Sequence, residues 1–217
     1  MASKSYIGMG MEGAVARWYQ KNTAKDMEEF RRLAGRIASQ LAAGSAVLEV
    51  APGPGFLAVE LARRGFAVTG LDISRTFVDL ASKNARRANV DARFQQGNAS
   101  RMPFPDRTFD FLVCRAAFKN FSDPIGALNE MQRVLKPGCR GLIIDLRRDA
   151  ALAEIAAYVD GLGVSLFNRL VMKLVFRYML LPRAWRTDDF ARMLEQIPFR
   201  HTEIVRSAIG MDVWLDT

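Results

Sequence analysis

Apolar residues recur three and four positions apart through Phe30, Leu33, Ala34, Ile37, Ala38 and Leu41, the spacing that lines one face of an α-helix, and Gly44 stops the run. The first 43 residues therefore read as helical. Beyond them the rhythm changes. Compact apolar runs at Ala46 to Ala51, Ala67 to Leu71, Phe109 to Cys114 and Gly141 to Leu146 have the length of buried strands. Amphipathic stretches of helical length separate most of them. This alternation predicts βαβ units and a parallel sheet covered by helices on both faces.

The local punctuation supports that reading. Asp123 can cap a helix over residues 124 to 135, Pro124 suits its first turn, and Lys136, Pro137 and Gly138 are expected to end it. Past Asp149 a long helical region is interrupted near Gly161 and Gly163 and closed by Pro182. A short helix from Thr187 to Gln196 precedes apolar stretches at Glu203 to Ile209 and Met211 to Leu215, expected to form a hairpin at the sheet edge. The chain thus divides, within one domain of residues 1–217, into an N-terminal helical cap (1–43), a core (44–149), a helical lid (150–200) and terminal strands (201–217).

Composition sets the outer bounds. A chain of 217 residues, 50% apolar and 25% charged, suits one globular domain and excludes a disordered or fibrous chain. It contains no run of eighteen apolar residues, and Met1 to Gly13 lacks the basic-then-apolar order of a secretory leader, so a cytoplasmic location is expected. Cys114 and Cys139 show neither CxxC spacing nor adjacent histidines, which points to reduced thiols and no metal. The formal charge of +8 is spread over arginine pairs such as Arg63–Arg64 and Arg86–Arg87. Such pairs suit solvated helix faces, or attraction to phosphates, anionic lipid or an acidic substrate.

Chemistry concentrates where the first strand ends. From Val47 to Ala58 a buried strand turns sharply into a helix, and Gly53 and Gly55 allow both the bend and the close approach of a ligand to the backbone. The new helix adds unpaired N–H groups and a positive dipole end, at the carboxyl edge of the sheet where open α/β folds bind ligands. Gly53, Gly55 and Ala58 fit G-x-G-x-x-A, and Asp72 ends the next strand at a distance suited to ribose hydroxyls. This fits a nicotinamide dinucleotide, another adenosine cofactor, or a tight turn followed by a capping acid. Glu49, an acid inside the first strand, needs a positive or hydrogen-bonding partner, and the ammonium of a sulfonium amino acid would be one. In the loop from Gly97 to Asp106, Asn98 can read an adenine edge or start a turn, and Met102 or Phe104 can pack on the ring.

Together these segments resemble the class I S-adenosylmethionine-dependent methyltransferases. VLEVAPGPG is similar to their first motif, commonly VLDVGCGTG; LDIS resembles the acidic second motif, GNASRMPFPDRTFDFLVC the adenine loop with the fourth strand, and RVLKPGCRGLII the helix and fifth strand. Ala51 replaces the usual first glycine and Asn98 the usual acid of the adenine loop. The resemblance implies an α/β fold, a Rossmann-like mostly parallel sheet with helices on both faces and a C-terminal β-hairpin edge. It implies S-adenosyl-L-methionine as cofactor, with Glu49, Ala51, Gly53, Gly55, Asp72, Ile73, Asn98, Ala99 and Arg115 at cofactor-binding positions. Methyl transfer from a sulfonium needs alignment and water exclusion more than acid–base help.

The loop from Arg115 to Pro124 is expected to face the transferred methyl. It lacks the D/N-P-P-Y/F sequence that holds a nucleobase amino group, and no Pro-Cys nucleophile is present, so nucleic acid is not an expected substrate. FKNFSDP, followed by NEMQRVLKPG, instead resembles quinone-biosynthesis C-methyltransferases, with Lys119 where they carry arginine. Lys119, Asn120 and Tyr19 are the catalytic candidates, although Lys119–Asn120 also suits a plain helix-entry turn. Trp18 and Tyr19 lie on a stretch able to fold over the pocket. His201 follows the main motifs and reads as a surface or packing residue. Arg169, Lys173 and Arg177, four apart, form a cationic stripe on an apolar helix that could cover an acceptor, touch a membrane periphery or pack two subunits. The expected activity is methyl transfer to a small apolar or aromatic acceptor. A nicotinamide-dependent oxidoreductase and a catalytically inactive cofactor-binding protein are the alternatives.

Overall fold

The computed structural model describes residues 11–162 and 165–217. Helices α1 (Gly13–Thr23) and α2 (Met27–Ala38) lead into β1 (Ala46–Val50), α3 (Phe56–Ala62), β2 (Ala67–Asp72), α4 (Arg75–Arg87) and β3 (Ala92–Gln96). There follow β4 (Phe109–Arg115), α5 (Pro124–Val134), β5 (Leu135–Leu146), α6 (Leu152–Asp160), α7 (Leu166–Val175), α8 (Thr187–Leu194), β6 (His201–Arg206) and β7 (Gly210–Asp216).

The strands form one seven-stranded sheet in the order β3-β2-β1-β4-β5-β7-β6. Pairing is parallel from β3 to β5, whereas β7 runs antiparallel to both β5 and β6. The chain therefore has the expected Rossmann-like α/β fold. Strand order reverses between β1 and β4, so the loops after β1, β2, β4 and β5 converge on one edge, and a crevice opens there.

Period-two alternation explains why both faces of the central strands are apolar. Val47, Val113 and Leu142 pack with Phe30, Leu33 and Ile37 of α2 and Leu57 and Leu61 of α3. Their neighbours Leu48, Leu112 and Ile143 face the other way, against Leu128 and Met131 of α5 and Phe190 of α8. Each fully buried aliphatic side chain contributes about 1.5–3 kcal/mol relative to exposure, so this two-sided core dominates the stability of the sheet. A smaller cluster of Ile155, Val159, Phe176, Leu181 and Ile209 holds the lid against the terminal strands.

Local signals set the helix starts. Ser74 Oγ accepts from Phe77 N at 3.1 Å to cap α4, and Asp123 Oδ1 accepts from Gly126 N at 2.8 Å to cap α5, with Pro124 in the first turn as expected.

Elsewhere the structure corrects the sequence reading. The helical reading of residues 1–43 breaks into two helices at a single 3-10 turn, Ala24–Asp26, and α2 stops at Ala38; residues 1–10 lie outside the described part. Strand β5 starts at Leu135, directly after α5, so Lys136, Pro137 and Gly138 fall inside its bounds. The ladder is irregular there. Its register shifts between Phe109 and Phe111, and Gly138 takes a φ of +77°. The terminal strands do form the expected hairpin at the sheet edge, β7 pairing with β5 and β6 lying outermost.

Candidate active site

The β1–α3 turn bends through three left-handed residues, Ala51 (φ +56°), Gly53 (+55°) and Gly55 (+75°). The first is held by Ala51 N donating to the Leu71 carbonyl at 2.7 Å. A glycine is needed at residue 55 for a second reason. A Cβ there would stand 2.7 Å from Ala81 Cβ and 3.1 Å from the Phe94 ring. Gly55 therefore lets α3 close onto α4 and β3. It lines neither cavity described below, unlike its expected place against the cofactor.

Asp72 stands at the carboxyl end of β2 and fastens two loops. Its Oδ2 accepts from Gly53 N at 3.0 Å and its Oδ1 from Ser74 N at 2.9 Å. Burial pushes its pKa up to about 6, and those N–H donors oppose the rise. The capping role weighed for Asp72 belongs to Ser74.

Along this edge lies a cleft of about 790 Å³ that runs from the tips of β2 and β3 to the tip of β5. Ile73, Asn98 and Ala99 line it beside Asp72, together with Phe77. Asn98 Oδ1 accepts from Ser100 N at 3.0 Å and from Ser100 Oγ at 3.2 Å, so the carboxamide oxygen shapes the turn. Its amino group remains the polar group it can present to the cleft. Met102 and Phe104 do not reach the cleft. Met102 is buried in the core, and Phe104 stands edge-on to Phe109 with centroids 5.2 Å apart, because the α5 side of the sheet offers both side chains a drier partner.

Glu49 occupies a side pocket of about 30 Å³ that shares Tyr19, Ala51, Gly53 and Arg115 with the main cleft. Only 3% of Glu49 is exposed, and its Oε2 has no hydrogen-bond partner. Burial raises its pKa to about 8, against the opposing pull of the Ala58 N–H and the Arg115 charge. A buried carboxyl oxygen with no donor at the edge of a cavity is a vacant acceptor for a cationic or N–H-bearing ligand.

Arg115 ends β4 and is tied back to α2, 2.7 Å from Glu29 Oε1 and 4.7 Å over the Phe30 ring. Tyr19 of α1 lines both cavities and packs edge-on to Phe77, centroids 5.7 Å apart. Its neighbour Trp18 points away into solvent and lines neither cavity.

At the β5 end, Lys119 and Asn120 lie on a short 3-10 turn, Phe118–Asn120, and both line the cleft. The turn is the helix-entry feature read from sequence and a wall of the cavity at once. Lys119 Nζ donates to Asp145 Oδ1 and to the Ala116 carbonyl, each at 2.7 Å, and Lys119 N donates to Asp145 Oδ2 at 2.9 Å. Asp145 was not among the sequence candidates, although an acid inside the apolar run LIIDL carries the same signal as Glu49 in VLEV. Apolar cover comes from Tyr158, Phe176 and Leu180 of the lid. His201 is exposed at the start of β6, across the hairpin from Asp216. The stripe of Arg169, Lys173 and Arg177 is partly neutralised, since Lys173 Nζ is 3.0 Å from Asp160 and Arg169 is 4.0 Å from it. Among the described residues, no group of His, Cys, Asp or Glu is placed to hold a metal ion.

The cavity combines a bent backbone, a loop-fastening acid, an unpartnered buried acid and a sheltered ammonium. Known proteins share the frame. A family model described as a methyltransferase domain matches residues 48–143. The chain is 40% identical over 101 residues to a demethylmenaquinone methyltransferase of Deinococcus radiodurans, covering 46% of this chain and 42% of that protein. It is 30% identical over 198 residues to the demethylmenaquinone methyltransferase of Tropheryma whipplei, covering 83% and 77%. YcgJ, an uncharacterized methyltransferase of Bacillus subtilis, is 37% identical over 119 residues, 54% of this chain and 47% of YcgJ. Its crystal structure superposes with a TM-score of 0.60 at 27% identity, covering 80% and 70%. The matches to the Deinococcus and Bacillus proteins thus span less than half of either relative's length.

Proposed function

The chain belongs to the class I S-adenosylmethionine-dependent methyltransferases, and we propose that it methylates a small apolar or aromatic acceptor of the quinone-precursor type. The observation that carries the cofactor half of this reading is the unpartnered Glu49 Oε2, placed beside Asp72 across the Ala51–Gly53 bend. One acid suits an ammonium and the other a ribose diol, the two polar ends of the same molecule. When bound, S-adenosyl-L-methionine supplies an activated methyl group on a sulfonium.

The residues of this chain bind, orient and shield. Glu49 holds the ammonium in a pocket whose low polarity strengthens the pairing. Asp72 accepts from ribose hydroxyls while keeping its bonds to Gly53 N and Ser74 N, since a carboxylate offers about four acceptor sites. Ile73 and Ala99 flank the adenine, and the Asn98 amino group donates to its edge. Tyr19 covers the cleft from above and excludes water.

The acceptor half rests on the β5 end. Two of the three Lys119 N–H donors serve Asp145 and the Ala116 carbonyl, which leaves the third for an acceptor oxygen. An ammonium fixed in this way favours loss of the proton of a phenolic or enolic hydroxyl to solvent and holds the resulting oxyanion, whose electron pair, at ring carbon or oxygen, then takes the methyl as the bond to sulfur breaks. Asn120 positions the ring, and Tyr158, Phe176 and Leu180 provide an apolar wall. The relatives named demethylmenaquinone methyltransferases support an acceptor of this class.

Calorimetry with S-adenosylhomocysteine and with NAD tests the cofactor, and appearance of S-adenosylhomocysteine with hydroxylated naphthoquinones, simple phenols or no acceptor tests the reaction. Binding of NAD alone would return the chain to the oxidoreductase reading. Cofactor binding without turnover on any ring acceptor would leave a binding protein.

A further inference from the structure

We infer that the outer face of α7 is a docking surface for an anionic lipid bilayer, which places the mouth of the cleft against the membrane. Not one residue of α7 is buried, although seven of its ten residues are apolar. Leu166 is 81% exposed and Phe167 74%, while Leu170, Val171 and Leu174 are also exposed. These five positions, spaced i, i+1, i+4, i+5 and i+8, form one continuous stripe on the helix. Its opposite side, through Met172, packs on the small lid cluster. The stripe continues past the helix end through Tyr178 and Met179, 63% and 57% exposed.

Charge selects the occupant. From Ser165 to Arg186 there are five basic residues, Arg169, Lys173, Arg177, Arg183 and Arg186, and no acidic one. Arg169 and Lys173 share Asp160, and Arg177 lies over the Tyr178 ring at 5.2 Å; Arg183 and Arg186 are exposed. Long aliphatic side chains projecting from a helix with basic groups along its border are what an interfacial helix presents to acyl chains and phosphate headgroups. No described helix is long and apolar enough to cross a membrane, so the contact is peripheral. The face also leads inward. Phe176, Leu180 and Arg183, on the segment that extends α7, line the cleft, so an apolar molecule leaving the bilayer beside Met179 is a few side chains from the cavity. The inference goes beyond the methyl-transfer reading and does not depend on it, because its test reads partition rather than turnover.

The experiment is flotation of the full chain with vesicles of phosphatidylcholine alone or mixed with phosphatidylglycerol, at low and high salt. The expected result is binding to the mixed vesicles that weakens with salt. The double variant L166E/F167E should partition at least roughly tenfold less, and R177E should lose mainly the salt-sensitive part. Both variants alter exposed side chains outside the cleft, and their thermal transitions should match that of the parent chain. Equal partition of parent and L166E/F167E, or no partition into either vesicle, overturns the inference. So does a concentration-dependent dimer, seen by sedimentation, that L166E/F167E abolishes without any vesicle binding, since that result assigns the stripe to a second copy.

Discussion

Lys119 Nζ stands 2.7 Å from Asp145 Oδ1 with its side chain only 9% exposed and that of Asp145 2% exposed, a sheltered ion pair joining the loop after β4 to the end of β5. The Lys119 N–H donates to the second carboxylate oxygen, so Asp145 fixes both the backbone and the side chain of the residue assigned to the acceptor. Breaking such a pair leaves one charge sheltered and unpaired. Asp145→Asn should therefore lower unfolding free energy by about 3 kcal/mol, measured by urea denaturation. It should also raise the KM for acceptor far more than the cofactor Kd. Equal effects on the two would remove Lys119 from the acceptor site.

Glu49 makes the protein sensitive to pH in a direction opposite to a salt-bridged acid. Its folded pKa, about 8, lies above the ordinary value of 4.5, so between those values the folded chain keeps a proton that the unfolded chain has released. Stability from this group is full below about pH 4.5 and is lost as pH rises through about 8. Thermal melts of Glu49→Gln should fall less steeply from pH 5 to 8 than those of the parent, to an extent set by about one proton. Pairing with a ligand ammonium reverses the preference. Binding of S-adenosylhomocysteine near neutral pH should release close to one proton, about one per site, seen as a buffer-dependent calorimetric enthalpy. A buffer-independent enthalpy would separate Glu49 from the ammonium.

Ala51 and Gly55 invite opposite substitutions. Ala51 carries a methyl at φ +56°, a conformation that costs a non-glycine residue about 1 kcal/mol or more. Ala51→Gly relieves that strain and widens the cleft, offset in part by the entropy glycine loses on folding. The expected net is a gain of up to about 1 kcal/mol and tighter S-adenosylhomocysteine binding. Gly55→Ala combines strained φ with collision against Ala81 and should cost about 2–4 kcal/mol. Chemical denaturation of both variants checks the pair.

Asp72→Ala should weaken S-adenosylhomocysteine by about 1–3 kcal/mol in calorimetry, through loss of acceptors to the ribose. It also frees Gly53 N and Ser74 N, so the apo protein should melt earlier. Unchanged affinity would leave Asp72 with the bracing of loops alone.

The strands buried on both faces were legible because such strands are continuous apolar runs, and β1, β2 and β4 fall within a residue of their sequence limits. β3 was not, for a physical reason. Its sequence ARFQQ sits at the sheet edge with a largely exposed or half-exposed pattern, so no apolar run announces it. The groups at the β1 and β2 tips stood out in the sequence for a related reason: Glu49 is an acid inside a buried strand, Gly53 marks a sharp turn four residues later, and Asp72 ends the next strand with an acid. Tyr158, Phe176 and Leu180 carry no such mark. They reach the cleft only through packing of the lid, and Met102 and Phe104 were misplaced because any apolar side chain in that loop reads equally well as ring-stacker or core.

Met11, Glu12 and Gly13 are fastened to the first turn of α4. Ser74 Oγ donates to the Met11 carbonyl at 2.7 Å, Arg75 N and Thr76 N donate to the Glu12 carboxylate at 3.0 and 3.1 Å, and Gly13 N donates to Thr76 Oγ1 at 3.0 Å. Against burial, the Thr76 hydroxyl, which also donates to the carboxylate, and the Thr76 and Arg75 N–H groups hold the Glu12 carboxyl below its ordinary pKa. Since Tyr19 is carried on the helix that starts at Gly13, the knot anchors the first turn of α1, and with it the cover over the cleft, to the start of α4. Acid therefore reaches the tether last: Glu49 and Asp72 take up protons at a higher pH than Glu12, so the anchor of the cover outlasts the charges beneath it.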